Sequence, residues 1–150
     1  MVRKAVASDV SGIYGLLEQF SRRGVMLPRT VSEITSSLGE FFVFEEDGFI
    51  IGAGALFVWG AELGEIRSLA VKSEYARRGI GTSLVQACLD EARSLGIKKV
   101  FALTYQTAFF NRLGFRAVDK TELPQKIWGD CIKCAKYASC DETAVIIEMT

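Results

Sequence analysis

The residues whose types and spacing could do chemistry cluster between positions 65 and 82. Arg77-Arg78-Gly79-Ile80-Gly81-Thr82 follows Leu69-Ala70-Val71 by a few residues, in the order strand, glycine turn, helix. The first N–H groups of a helix have no partner within it and point outward. The helix dipole adds roughly half a positive charge there. Glycines let an anion approach the backbone, and two guanidiniums add charge. Together these features suit a pyrophosphate. Gly-x-Gly alone fits a plain glycine turn flanked by solvated arginines equally well. The segment is not a Walker loop, because Gly-Lys-Ser/Thr is missing. It is not a Rossmann fingerprint, because the third glycine is absent and the element falls mid-chain.

Histidine does not occur in the 150 residues. This excludes Ser-His-Asp and Cys-His nucleophile systems and His-ligated zinc. A general base must then be Asp, Glu, Tyr, Lys, Cys or a relayed water. Cys131-x-x-Cys134-x(5)-Cys140 offers three thiolates, one fewer than a structural zinc site needs, and Asp141, Cys88 or a partner chain would have to complete it. Reduced packing or redox-active thiols are the favoured reading, and no metal site is assigned.

These residues need a scaffold. The length suits one domain spanning residues 1–150, with a cysteine-containing extension from about residue 121. Apolar residues are 49% of the chain, enough for a core, and eighteen basic residues balance eighteen acidic ones. That neutrality gives no reason to expect nucleic acid, and no apolar run is long enough for a membrane helix. The start lacks the apolar stretch of a signal peptide, so the cytoplasm is the expected location. A short strand over residues 2–6 leads to a helix capped by Ser8, in which Val10, Ile13, Tyr14, Leu17 and Phe20 share a face. Thr30 and Glu33 form a capping box for a second helix. Asp47-Gly48 joins strands over residues 41–45 and 49–59 as a hairpin. A strand over 65–71 enters the glycine segment, and Leu84, Val85, Cys88, Leu89 and Ala92 hold helical spacing over 81–95. Gly96 stops that helix. A buried strand at 100–103, a short helix at 107–113 and strands at 116–118 and 144–149 complete a mixed α/β order.

On these residues the chain resembles the GNAT N-acetyltransferase family. That family's coenzyme A motif, Arg/Gln-x-x-Gly-x-Gly/Ala, is matched by Gly79 and Gly81, with Ala76 at its first position. Glu65-Ile66-Arg67-Ser68-Leu69-Ala70-Val71 looks like the strand before the motif, and Tyr-x-x-Leu-Gly-Phe is similar to Phe110-Asn111-Arg112-Leu113-Gly114-Phe115. The resemblance covers about residues 2–120. It implies a mixed α/β fold of one domain, a mostly antiparallel splayed sheet flanked by helices, with acetyl-CoA bound between the fourth and fifth strands. The backbone of Leu69, Ala70 and Val71 would pair with the pantetheine arm. The pyrophosphate would lie on the N–H groups of Arg77, Arg78, Gly79, Ile80, Gly81 and Thr82. Glu65 would be the catalytic base, directly or through a water. The family's usual acid is a tyrosine at the position of Phe110, which cannot donate a proton and is left as a cofactor contact. Tyr105 is the substitute acid, and Thr104 stands where many members have asparagine to meet the cofactor.

Within the family, Gly24-Val25-Met26-Leu27-Pro28-Arg29, Phe101-Ala102-Leu103-Thr104 and Glu122-Leu123-Pro124-Gln125-Lys126 are similar to the acetyltransferase domain of N-acetylglutamate synthases, which serve the first step of arginine biosynthesis. This implies L-glutamate as acceptor. Its two carboxylates call for at least two cations, and Arg29, Arg67 and Lys126 are the candidates. For Arg67 an ion pair with Glu65 is the alternative, and for Arg29 and Lys126 an ordinary solvated charge. The expected partners are acetyl-CoA, the small amine and, in a homodimer, a second copy of the chain. Another amine acceptor, or a non-catalytic acetyl-CoA-binding module, are the competing readings.

Overall fold

A computed structural model of the chain describes residues 1–24, 26, 28–123 and 142–149. Among these residues seven strands form one sheet: β1 (Val2–Lys4), β2 (Phe41–Glu46), β3 (Phe49–Val58), β4 (Leu63–Val71), β5 (Lys99–Thr104), β6 (Arg116–Val118) and β7 (Thr143–Glu148). Their order across the sheet is β1-β2-β3-β4-β5-β7-β6. Every pairing is antiparallel except that of β4 with β5. Among the described residues, four α-helices cover the faces: α1 (Val10–Arg22), α2 (Val31–Ser36), α3 (Ile80–Ser94) and α4 (Thr107–Arg112).

Local chemistry explains most of the joints. Asp47 and Gly48 both have positive φ, 52° and 81°, as a two-residue hairpin turn requires if it is to match the strand twist. Thr30 and Glu33 cap α2 reciprocally, Thr30 Oγ1 accepting from the Glu33 N–H and Glu33 Oε1 from the Thr30 N–H, each at 3.0 Å. Gly96, at φ 76°, ends α3 in the left-handed conformation that a side chain would resist. Ser8 does not cap α1. It lies in a single 3-10 turn (Ala7–Asp9), and Asp9 takes the organising role instead. Its carboxylate accepts from the Val6 N–H at 2.8 Å and from two nitrogens of Arg3 at 2.7 and 3.0 Å. The longer Asp side chain, anchored by a guanidinium on β1, outcompetes the serine hydroxyl for the helix entry.

The sheet separates two cores. On one face, Ile13, Leu16 and Leu17 of α1 and Ile34 of α2 pack on Val43, Ala53, Ala55 and Ala70. On the other, Val85, Cys88, Leu89 and Ala92 of α3 pack on Leu56, Ile66, Val100, Ala102 and Val145. Period-two alternation along β4 therefore sends Ile66 to the α3 face and Glu65 and Arg67 to the α1 face. Cys88 is fully buried in the α3 core, and burial pushes its thiol up to about 12. Its side chain faces the core. Cys131, Cys134, Cys140 and Asp141 lie outside the described residues.

Candidate active site

The site begins where the sheet parts. Among the described residues, β4 pairs with β5 over three residues only, Leu63 with Lys99, Gly64 with Val100 and Glu65 with Phe101. Beyond Glu65, β4 keeps β3 as its partner while β5 keeps β7. The expected splay is therefore present, and Glu65 stands at its apex. A register skip against β3 between Ala53 and Ala55 coincides with Ser68 at φ 55°, a bulge that bends β4 and strengthens its twist. From Glu65 to Val71 the open run of β4 is about 20 Å at the usual strand rise.

At the wide end of the splay stands the entry to α3. Gly79 is its N-cap at φ 79°, and Arg77, two residues earlier, has φ 66°. Left-handed residues close together turn successive N–H groups toward one side and make an anion-binding concavity. No atom lies within 4 Å of a Cβ built on Gly79, whereas one on Gly81 would meet the Phe109 ring at 3.3 Å. Gly79 is thus required by its φ and Gly81 by close packing. The Ile80 side chain enters the core with Ile51 and Leu84, so only its backbone faces the concavity. Arg78 is exposed, lies over Tyr75 at 5.1 Å and reaches Glu46 at 3.4 Å. The ring on the first turn of α3 is that of Phe109. Phe110 is 3% exposed and stacks edge-to-face with Phe109 and Phe115. Thr104 Oγ1 accepts from the Gln106 N–H at 2.7 Å, so the hydroxyl shapes the turn into α4. Tyr105 is the next residue, half-buried at that turn. These features fit a long ligand carrying a diphosphate: an open strand edge for an extended arm, then a backbone cradle for charge.

At the apex, side chains replace backbone. Glu65 is 8% exposed. Its Oε1 accepts from Arg67 Nε at 2.8 Å and from Trp59 Nε1 at 2.9 Å. The Arg67–Glu65 ion pair considered as an alternative is thus present, and it is buried, Arg67's side chain being 15% exposed. The guanidinium also lies 4.0 Å from the centre of Phe57 and 5.2 Å from that of Trp59. Further out, Glu40 ends the segment before β2. Burial raises its carboxyl above the ordinary range, and Arg67, Arg29 and Lys4 pull it partly back. Arg29, next to Thr30 at the start of α2, is therefore drawn into the same electrostatic neighbourhood as Arg67. Lys126 lies outside the described residues. Glu40, Phe57, Trp59 and Phe109 were not reached from the sequence. The aromatic pair at 57 and 59 carried the only usable signal, since alternation on β3 places both on the face of Glu65 and Arg67.

A splayed sheet with an acid at its apex and a glycine cradle at its mouth defines an acyl-transfer scaffold, and the comparisons agree. Residues 14–115 match the model of the Acetyltransferase (GNAT) family, and the chain belongs to that family, as an acetyltransferase that takes acetyl-CoA as co-substrate. It is 39% identical over 145 residues to an uncharacterized N-acetyltransferase of Chlorobaculum tepidum, covering 97% of this chain and 94% of the relative. It is 34% identical over 140 residues to an amino-acid acetyltransferase of Mycobacterium tuberculosis, covering 91% and 79%. Among solved structures, N-acetylglutamate synthase from Neisseria gonorrhoeae, complexed with coenzyme A and N-acetyl-glutamate, superposes with a TM-score of 0.89 at 28% identity. All of this chain is covered there, but only 35% of that one.

Proposed function

We propose that this acetyltransferase acts on the amino group of a small amino acid, with L-glutamate as the acceptor. The observation that carries the reading is the apex of the splay, where a buried carboxylate and an aromatic-braced guanidinium stand together on β4. The likeness to an amino-acid acetyltransferase and to an N-acetylglutamate synthase supports the choice of acceptor.

An ammonium has no lone pair, so the acceptor must lose a proton before it attacks a thioester. Glu65 takes that proton, directly or through one water. Arg67 receives a substrate carboxylate, its planar guanidinium set by stacking on Phe57 and by the bond from Nε to Glu65. Arg29 and Lys126 serve the second carboxylate. Acetyl-CoA contributes the activated acetyl group. Leu69, Ala70 and Val71 hold its arm along the open edge of β4, and Arg77, Arg78, Gly79, Ile80, Gly81 and Thr82 hold its diphosphate. Holding both substrates in register removes much of the entropic barrier to their encounter. Phe110, packed in the core, donates no proton to the leaving thiolate; Tyr105 stands at the adjoining turn as the acid, and a thiolate leaves readily enough to need little help.

The test is thiol release from acetyl-CoA over the twenty amino acids, with E65Q and R67A as controls. Glutamate is expected to stand out and both variants to lose that turnover. A panel with no amino acid above background would end the proposal.

A further inference from the structure

A base at Glu65 explains why a carboxylate is there but not how it stays ionised. Burial penalises the charged form, and donors must compensate. Arg67 supplies one from two residues along the same strand. A second comes from Trp59, just past the end of β3, whose indole N–H donates to Oε1 at 2.9 Å. Contacts of backbone and ring hold Trp59 in place. The Trp59 backbone N–H donates to the Leu63 carbonyl at 2.8 Å, closing the bend between β3 and β4. Phe57 meets the indole edge-to-face, with ring centres 4.9 Å apart at 73°. The Arg67 guanidinium lies against the indole at 5.2 Å. An indole N–H is a donor only and does not titrate in the working range. It can therefore stabilise the carboxylate without competing for the proton the reaction has to move.

We infer that Trp59 is a positioning residue for acetyl transfer, its indole N–H fixing Oε1 of Glu65 so that the carboxylate stays ionised and turned toward the acceptor amine. This rests on Glu65 being the base. Among the described residues around Glu65, β4 contributes the charge of Arg67. Phe57 on β3 and Phe101, its partner on β5, carry no titratable group. Glu40 feels the charges of Arg67 and Arg29 and so belongs to the same electrostatic neighbourhood.

W59F removes the donor and keeps an aromatic ring. A hydrogen bond to a charged group is worth about one pKa unit, so the acid limb of the pH profile of kcat/KM should move up by about one pH unit. Turnover at the optimum should fall about tenfold through loss of orientation, with the KM for acetyl-CoA unchanged. A purely structural role would lower activity or Tm and leave the limb where it was. If W59F fails to fold, benzothienylalanine at position 59, with the sequence's second tryptophan, Trp128, replaced as W128F so that only one site takes the analogue, keeps the bicyclic shape and removes only the N–H. An unmoved limb in the variant that folds overturns the inference. E65Q separates the two claims. If it retains wild-type turnover, the base assignment has failed; if it is inactive while the Trp59 variant keeps the wild-type profile, only the role of Trp59 has failed.

Discussion

In the function proposed above, the wide end of the splay and its apex solve the same problem, holding negative charge next to a strand end, with different material. At the wide end the proposed holders are backbone N–H groups, beside two left-handed residues, Arg77 and Gly79, within three positions of sequence. At the apex they are side chains. Arg67 and Trp59 converge on one oxygen of Glu65, Phe57 braces both, and Glu40 and Arg29 act from other segments. Backbone amides cost no side-chain entropy and present the same chemistry in any sequence that takes the turn. That suits a co-substrate common to a family. Buried side chains cost desolvation, yet they can be exchanged singly, which suits the acceptor that differs between members.

The comparison predicts that chemistry fails at the apex and affinity at the mouth. The largest expected effect is E65Q, which keeps the shape and one acceptor oxygen but not the base; kcat should fall about 10²–10⁴-fold with the KM for acetyl-CoA little changed. A loss of acetyl-CoA affinity instead would mean that the two ends are one site. At the mouth, G79V places a β-branched residue at φ 79° in otherwise open space, so the penalty is conformational. Straightening the turn would withdraw the amides at a cost of about 1–3 kcal/mol, read as a rise of about tenfold or more in the KM for acetyl-CoA. Unchanged KM in a folded G79V would mean that the cradle does not bind the diphosphate. A smaller effect is expected from R67K. An ammonium lacks the plane that stacks on Phe57 and the second edge for a carboxylate, so the KM for the acceptor amino acid should rise about tenfold while acetyl-CoA is bound as before.

The same contrast decides what the sequence could disclose. Strand, glycines, helix and the Asp47-Gly48 hairpin are local: the chemistry that forces each is written within a few residues, and each stands where the pattern put it. The capping box of Thr30 and Glu33 is equally local. Ser8 misled because Asp9, one position on, has a partner on another element, and no reading of residues 7–10 reveals Arg3 folding onto it. The apex is non-local throughout. Glu65 and Arg67 share a face by alternation, so their pairing could be foreseen as an alternative. That Trp59 turns its N–H to the same oxygen depends on the bend closed by the Trp59–Leu63 bond. Phe109 and Phe110 differ by one position on a short helix, and only the packing of α4 against α3 decides which ring meets Gly81.

Glu40 gives the finest test of the claim that the apex pays for its charges. Its carboxyl is raised above the ordinary range, chiefly by burial, and Arg67, Arg29 and Lys4 recover only part of the loss. A carboxyl that binds its proton more tightly when folded adds stability below the unfolded value, and that stability is lost as pH rises through the folded one. At neutral pH the ionised side chain is then a burden on the fold. E40Q, neutral at every pH, should match the parent in Tm at about pH 4 and below and exceed it at pH 7, by about 1–3 °C for a chain of this size. Its removal also takes a competing carboxylate from the two guanidiniums, so the acceptor KM should fall while the E65Q and G79V phenotypes stay as they are. If E40Q were less stable at pH 7 than its parent, the cations around it would outweigh its burial. Glu40 would then be a structural counter-ion of Arg29 and Arg67, and the apex a satisfied ion network like that of Arg3 and Asp9.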